Sequence, residues 1–199
     1  MRRALQPTAT APPTRKQLPN VIRKGLLTLS TDTITTDPER QLVGALMWLP
    51  LHQTRPVLAG MRADDVRAPM TAHVLQLAIE LVAAGQAPAP VALFSHAVIT
   101  GRAPGEHRRG WLGAWLADTY SACQATTPGH AWFLKAVVLE TAWRRAVAEH
   151  AARLAQAVEH SPTDLLRELS DDTEGIDELW RRYRAALGTG ITERLEVAA

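Results

Sequence analysis

Apolar residues recur at helical spacing along most of this chain, most clearly between Pro128 and His160. Trp132, Ala136, Leu139, Trp143, Val147, Ala151, Leu154 and Val158 follow one another at intervals of 4, 3, 4, 4, 4, 3 and 4 residues. That spacing keeps all eight on one face of a helix. At 1.5 Å per residue the helix reaches about 45 Å, longer than a compact domain of this size needs internally. Ser161-Pro162 caps the next segment, and Thr163 to Leu169 with Ile176 to Leu187 supplies further helix before Gly188, which reads as a stop. Helices joined by so short a connection predict an antiparallel hairpin over residues 128–187.

Upstream the elements are shorter. Asp37-Pro38-Glu39 reads as N-cap, first-turn proline and acidic first turn of a helix running through Arg40 to Trp48, which Pro50 ends. Further helices are expected at Arg55 to Ala59, at Ala72 to Ala84 before Gly85, and at Val91 to Ile99 before Gly101. A loop at Gly101 to Gly110 carries Arg102, Arg108 and Arg109 and leads into an aromatic helix at Trp111 to Tyr120. Strand alternation is weak and no Asn-Gly or Asp-Gly hairpin turn occurs, so the expected fold is all-α. It divides into a small helical bundle at 37–127, the projecting hairpin at 128–187 and a C-terminal tail at 188–199. Residues 1–36, with Pro7, Pro12, Pro13 and Pro19, read as a disordered or polyproline-like arm.

Composition supports folding: 46% of the 199 residues are hydrophobic and 21% charged. The overall charge of +2 conceals an asymmetry. Six cations against Asp32 alone give the arm +5, which leaves −3 for the remainder. Such an arm is either a solvated tail or a binder of phosphates or acidic surfaces through Arg2, Arg3, Arg15 and Lys16. Apolar runs such as Leu77 to Ala84 are broken well short of the ~20 residues a membrane span requires, so no membrane association is expected. One cysteine, Cys123, excludes an intramolecular disulfide, and no secretory signal is recognisable, so a cytoplasmic location is expected.

Catalytic motifs do not emerge. None of the three lysines follows a glycine, which excludes a phosphate loop ending in Gly-Lys-Ser/Thr. No His-x-x-x-His pair or Cys-His spacing of zinc type occurs, and neither metal nor cofactor is expected. Asp64-Asp65 and Asp171-Asp172 are paired carboxylates beside helix ends, where capping or a solvated turn explains them. Ser121 and Cys123 lack the surroundings of an activated nucleophile. The tryptophans say more. Trp132 and Trp143 share the stripe of a helix long enough to leave the body, where aromatic residues either anchor a partner or pack within the hairpin itself.

The order of these pieces resembles the N-terminal domain of the bacterial replicative DNA helicase (DnaB) family. Asp37 to Met47 is similar to that domain's opening helix, with its Val-Leu-Gly-Gly/Ala-Leu core. Asp64-Asp65-Val66 and His73-Val74-Leu75 resemble Asp-Asp-Phe-Tyr and His-x-Ile-Phe, and Ile79 to Gly85 precedes a proline-containing loop as in the family. Trp111-Leu112 to Asp118 looks like the Tyr-Leu-x-x-Leu segment. Val137-Val138, Glu140, Ala142 and Arg145 match the Ile-Val-x-Glu-x-Ala opening of the hairpin helix. The match spans roughly Asp37 to Leu169. It departs at Val66-Arg67, where the family has an aromatic pair, and at Ser121 to Thr127, where it has Asn-Thr-Pro-Ser-Ala.

The resemblance implies a non-catalytic domain that pairs through its hairpin and contacts primase and loader proteins. The expected function is therefore association in DNA replication, with itself as a homo-oligomer or with a helicase or primase. Its interface would comprise Trp132, Leu139, Trp143, Val147, Leu154 and Val158, with Leu166, Leu169 and Leu179 on the returning arm. Two alternatives stand beside this. One is a nucleic-acid-binding accessory using the arm together with Arg102, Arg108 and Arg109. The other is the collar half of a split helicase whose motor is a separate chain.

Overall fold

The computed structural model describes residues 36–123 and 127–198. The basic arm, with Arg2, Arg3, Arg15 and Lys16, and the centre of the Ser121–Thr127 segment lie outside the described residues. Among the described residues these elements follow in order: α1 Pro38–Trp48, α2 Leu51–Leu58, the 3-10 turn Ala63–Asp65, α3 Pro69–Ala83, α4 Pro90–Ile99, α5 Gly105–Ala122, α6 Pro128–His160, α7 Thr163–Asp171 and α8 Glu174–Ala198. Among the described residues there is no strand. The all-helical expectation therefore holds.

Local chemistry sets the boundaries. Asp37 has extended backbone, and its carboxylate accepts from the amides of Glu39 (3.0 Å) and Arg40 (3.4 Å), the bonds an N-cap makes to otherwise unpaired donors. Proline opens α1, α3, α4 and α6, where its missing N–H removes no helical bond. After α3, Gly85 takes φ +80°, and the amides of Gly85 and Gln86 turn back to the carbonyls of Val82 and Leu81, the paired bonds of a Schellman stop. Gly188 is different. It keeps helical backbone inside α8, which continues to Ala198, so a glycine marks a stop only where the next turn leads away from the helix. The expected tail at 188–199 is thus largely helix.

Two other expectations are corrected. Residues 101–110 are not a single loop: α5 begins at Gly105, so Arg108 and Arg109 project from a helix. The second helix starts at Leu51, four residues earlier than expected, directly after Pro50.

The core is built around α1. Leu42, Val43, Ala45, Leu46 and Met47 are all buried, because α1 packs against α3, α5 and α6 at once. Helix α4 bridges α3 and α5, and α2 lies against α3 and α6. The first turns of α6 finish this core with Ala131, Trp132, Leu134, Ala136, Val138 and Leu139. Beyond Ala142 only His150 and Ala157 are buried in α6, and α7 buries no residue. Helix α8 then runs back along α6. Trp180 meets Trp143, and Gly190 lies beside Trp132, so the two helices are antiparallel. The hairpin is closed by the short helix α7 rather than by a tight turn.

Candidate functional site

The hairpin carries exposed apolar residues, Val147, Val158, Leu165 and Trp180, beyond the bundle, and its base is fixed by charge. Arg182 on α8 is 2.8 Å from Asp65 and donates to the Gly60 carbonyl at 2.8 Å. Asp65 also accepts from the Arg62 amide at 2.7 Å. Arg145 on α6 donates to the carbonyls of Asp64 and Asp65 at 2.9 and 3.1 Å. Lys135 donates to the Ala59 carbonyl at 2.7 Å and lies over the Trp132 ring. Glu39 accepts from the amides of Arg67 and Ala68 and faces Arg145 at 3.9 Å. Both hairpin helices are thus pinned to the segment between α2 and α3.

These contacts anchor the hairpin to the bundle. Burial, reinforced by the neighbouring Arg182 charge and only partly opposed by Asp65, pushes the Lys135 ammonium down to about 8. Cys123 is enclosed at 4% exposure, and its thiol donates to the Gln41 side-chain oxygen at 3.0 Å. Burial raises that thiol to about 11, against a small opposing effect of Arg40, which leaves it protonated and unreactive at neutral pH. Asp65 is a buried ion-pair partner rather than a solvated turn residue. Among the described residues no three histidine, cysteine or acidic side chains converge as a metal site, and no helix is long and apolar enough to cross a membrane.

The expected interface residues separate into two groups. Trp132 (6% exposed) and Leu139 (0%) are enclosed by the chain's own core, so they are not available to a partner. Leu179 is half-buried and packs against the same core. Trp143 is half-buried, with its ring centroid 5.0 Å from that of Trp180, a contact within the hairpin. The outer residues remain open: Val147 and Val158 are exposed, while Leu154, Leu166 and Leu169 are half-buried. Sequence reasoning missed Leu165 (51% exposed) and Trp180 (40% exposed). Leu165 lies one turn before Leu169, and Trp180 one turn before Tyr183, so helical spacing on α7 and α8 was the available signal.

The arginines of the other reading are partly committed. Arg102 is 2.6 Å from Glu80, and Arg109 donates to the Ala103 carbonyl at 3.2 Å. Arg108 is exposed and pairs with no carboxylate among the described residues.

The sequence matches no protein-family model and no curated protein. A solved structure does match. The crystal structure of the N-terminal domain of DnaB helicase from Mycobacterium tuberculosis aligns with a TM-score of 0.53 at 18% identity, covering 76% of this chain and 94% of that one. Bundle and hairpin fall in the same order as in the sequence resemblance, and at this identity the likeness is one of fold. The chain has the all-helical fold of the DnaB helicase N-terminal domain.

Proposed function

We propose that the chain is a non-catalytic replication protein that acts by protein association through the outer part of its hairpin, with a second copy or with a replicative helicase or primase. One observation carries the reading. Helix α7 places Leu165, Leu166 and Leu169 on one side yet encloses none of its residues, and the neighbouring outer half of α6 leaves Val147 and Val158 exposed. Apolar surface gathered at the end of a projecting element is stabilised when a partner removes it from water. A standard interface needs about 800 Å² per partner, within reach of a helix as long as α6, about 50 Å, with α7 beside it. The DnaB-like fold supports a role in replication, and the absence of a phosphate loop from the sequence is consistent with a non-catalytic one.

Light scattering on the protein, alone and mixed with the host helicase and primase, tests this. Val158→Asp and Leu165→Asp are expected to lower the measured mass without changing helical content, because neither residue packs in the core. Trp143→Asp is expected to act less selectively, since it also breaks the contact with Trp180. A wild-type protein that stays monomeric and binds neither helicase nor primase refutes the reading.

A further inference from the structure

A second surface lies on the bundle, and no residue of α6, α7 or α8 contributes to it. A cavity of about 300 Å³ opens between the start of α3, the α4–α5 connection and the start of α5. Its deep part is apolar: Leu112 is 2% exposed, and Met70 is half-buried. Trp111, 62% exposed, stands at its mouth with Arg108. His73 and Arg102 complete the polar side.

Charge at this mouth is one-sided. Glu80 is the nearby carboxylate, and it is fully engaged, accepting from Gln76 at 2.8 Å and meeting His96 at 2.9 Å and Arg102 at 2.6 Å. Glu80 and Arg102 therefore neutralise one another and brace the wall. Arg108 remains uncompensated. Glu106 does not offset it, because two residues along a helix turn it about 200° away from Arg108, to the side of Arg109. Arg108 itself lies three and four residues before Trp111 and Leu112, on the face they share.

We propose that this cavity is a docking pocket for an acidic linear segment of a partner protein. One large apolar side chain of the segment enters between Met70 and Leu112 and lies against Trp111, while an adjacent carboxylate binds Arg108. An open, largely apolar cavity with an aromatic wall and a free guanidinium beside it provides the anchor and the charge-assisted bond that such recognition uses. Single-stranded nucleic acid fits less well. It needs a track of cations along its backbone, and here Arg108 is the uncompensated arginine beside a largely apolar recess.

The test uses fluorescence anisotropy on the full chain with short fluorescein-labelled peptides. The central residue is Phe, Trp, Leu, Met or Ala, and the flanks are Glu or Lys. Glu-flanked peptides with a large apolar centre are expected to bind at least about tenfold more tightly than their Lys-flanked or Ala-centred counterparts. Arg108→Glu should reverse the flank preference, and Trp111→Ala should remove the preference for a large centre, both with unchanged helical content. Leu165→Asp should leave the binding as it is, which separates this pocket from the hairpin. Equal binding of all peptides, binding of none, or Arg108-dependent binding of labelled oligo-dT in place of the peptides would overturn the proposal.

Discussion

Arg182→Met tests whether the hairpin is held to the bundle by a buried ion pair. Arg182 and Asp65 are 12% and 2% exposed at their side chains and 2.8 Å apart. Removing the guanidinium leaves a carboxylate enclosed with the Arg62 amide as its remaining hydrogen bond. Breaking a buried pair in this way costs about 3–5 kcal/mol, whereas removing both charges together costs much less. Lys135 moderates the loss. Arg182 now holds its ammonium down and Asp65 draws it up, so in the variant Lys135 becomes the natural counter-charge. The expected cost therefore sits near 3 kcal/mol, a large part of the 5–15 kcal/mol that stabilises an ordinary domain.

Urea unfolding followed by circular dichroism measures this directly, with Asp65→Asn and the double variant completing a cycle. The double variant should be less destabilised than the sum of the single changes by about 2 kcal/mol or more. A single-variant cost below about 1 kcal/mol would mean the pair behaves as an exposed one, and the pinned-hairpin argument would fail.

Lys135→Met should be more stable than the parent below pH 8, and the advantage should shrink as pH rises. The fall of the ammonium from 10.5 to about 8, from burial first and the Arg182 charge second, corresponds to about 3 kcal/mol against the charged form. Between pH 8 and 10.5 the unfolded chain holds this proton while the folded chain has released it, so the parent gains stability with pH and the gap closes. A gap constant from pH 7 to 10.5 in parallel urea titrations contradicts the assignment. Gly44→Ala should lower the melting temperature although alanine favours helix, because the added methyl would come within 2.8 Å of Cys123 Cβ and nearer still to its sulfur. An overpacking cost of about 1–3 kcal/mol exceeds the roughly 1 kcal/mol gained in propensity, so a rise in melting temperature would refute it.

Helix positions were legible wherever a local rule sufficed. Asp37-Pro38 opens α1 and Gly85 closes α3, as their chemistry requires, and α6 spans Pro128 to His160 as its periodicity predicts. Gly188 misled because propensity is a weak local preference: α8 lies along α6, with Gly190 beside Trp132, and tertiary packing carries the helix through both glycines. The clamp between Asp65 and Arg182 joins residues 117 positions apart, and no local pattern marks such a pair. Arg108 and Arg109 looked like loop residues because Pro104-Gly105 reads as a break, whereas Gly105 is the first residue of a helix.

The stripe on α6 shows why exposure along the hairpin was only half legible. Trp132 and Val158 occupy equivalent positions in one repeating pattern, and nothing in that pattern separates them. Their burial, 6% against 67%, is decided by what else reaches each level of the helix. Near Trp132 and Leu139 the bundle helices α1 and α2 and the returning α8 close around α6. Past Arg145, which still reaches the carbonyls of Asp64 and Asp65, α7 and α8 are the helices packed against α6. A helical period states which side of a helix is apolar, while the length of the surrounding bundle states how far along that side the chain can cover itself. Along the stripe, the residues left exposed are those past that limit, and Leu165 and Trp180, which come from outside the stripe altogether, are exposed beside them.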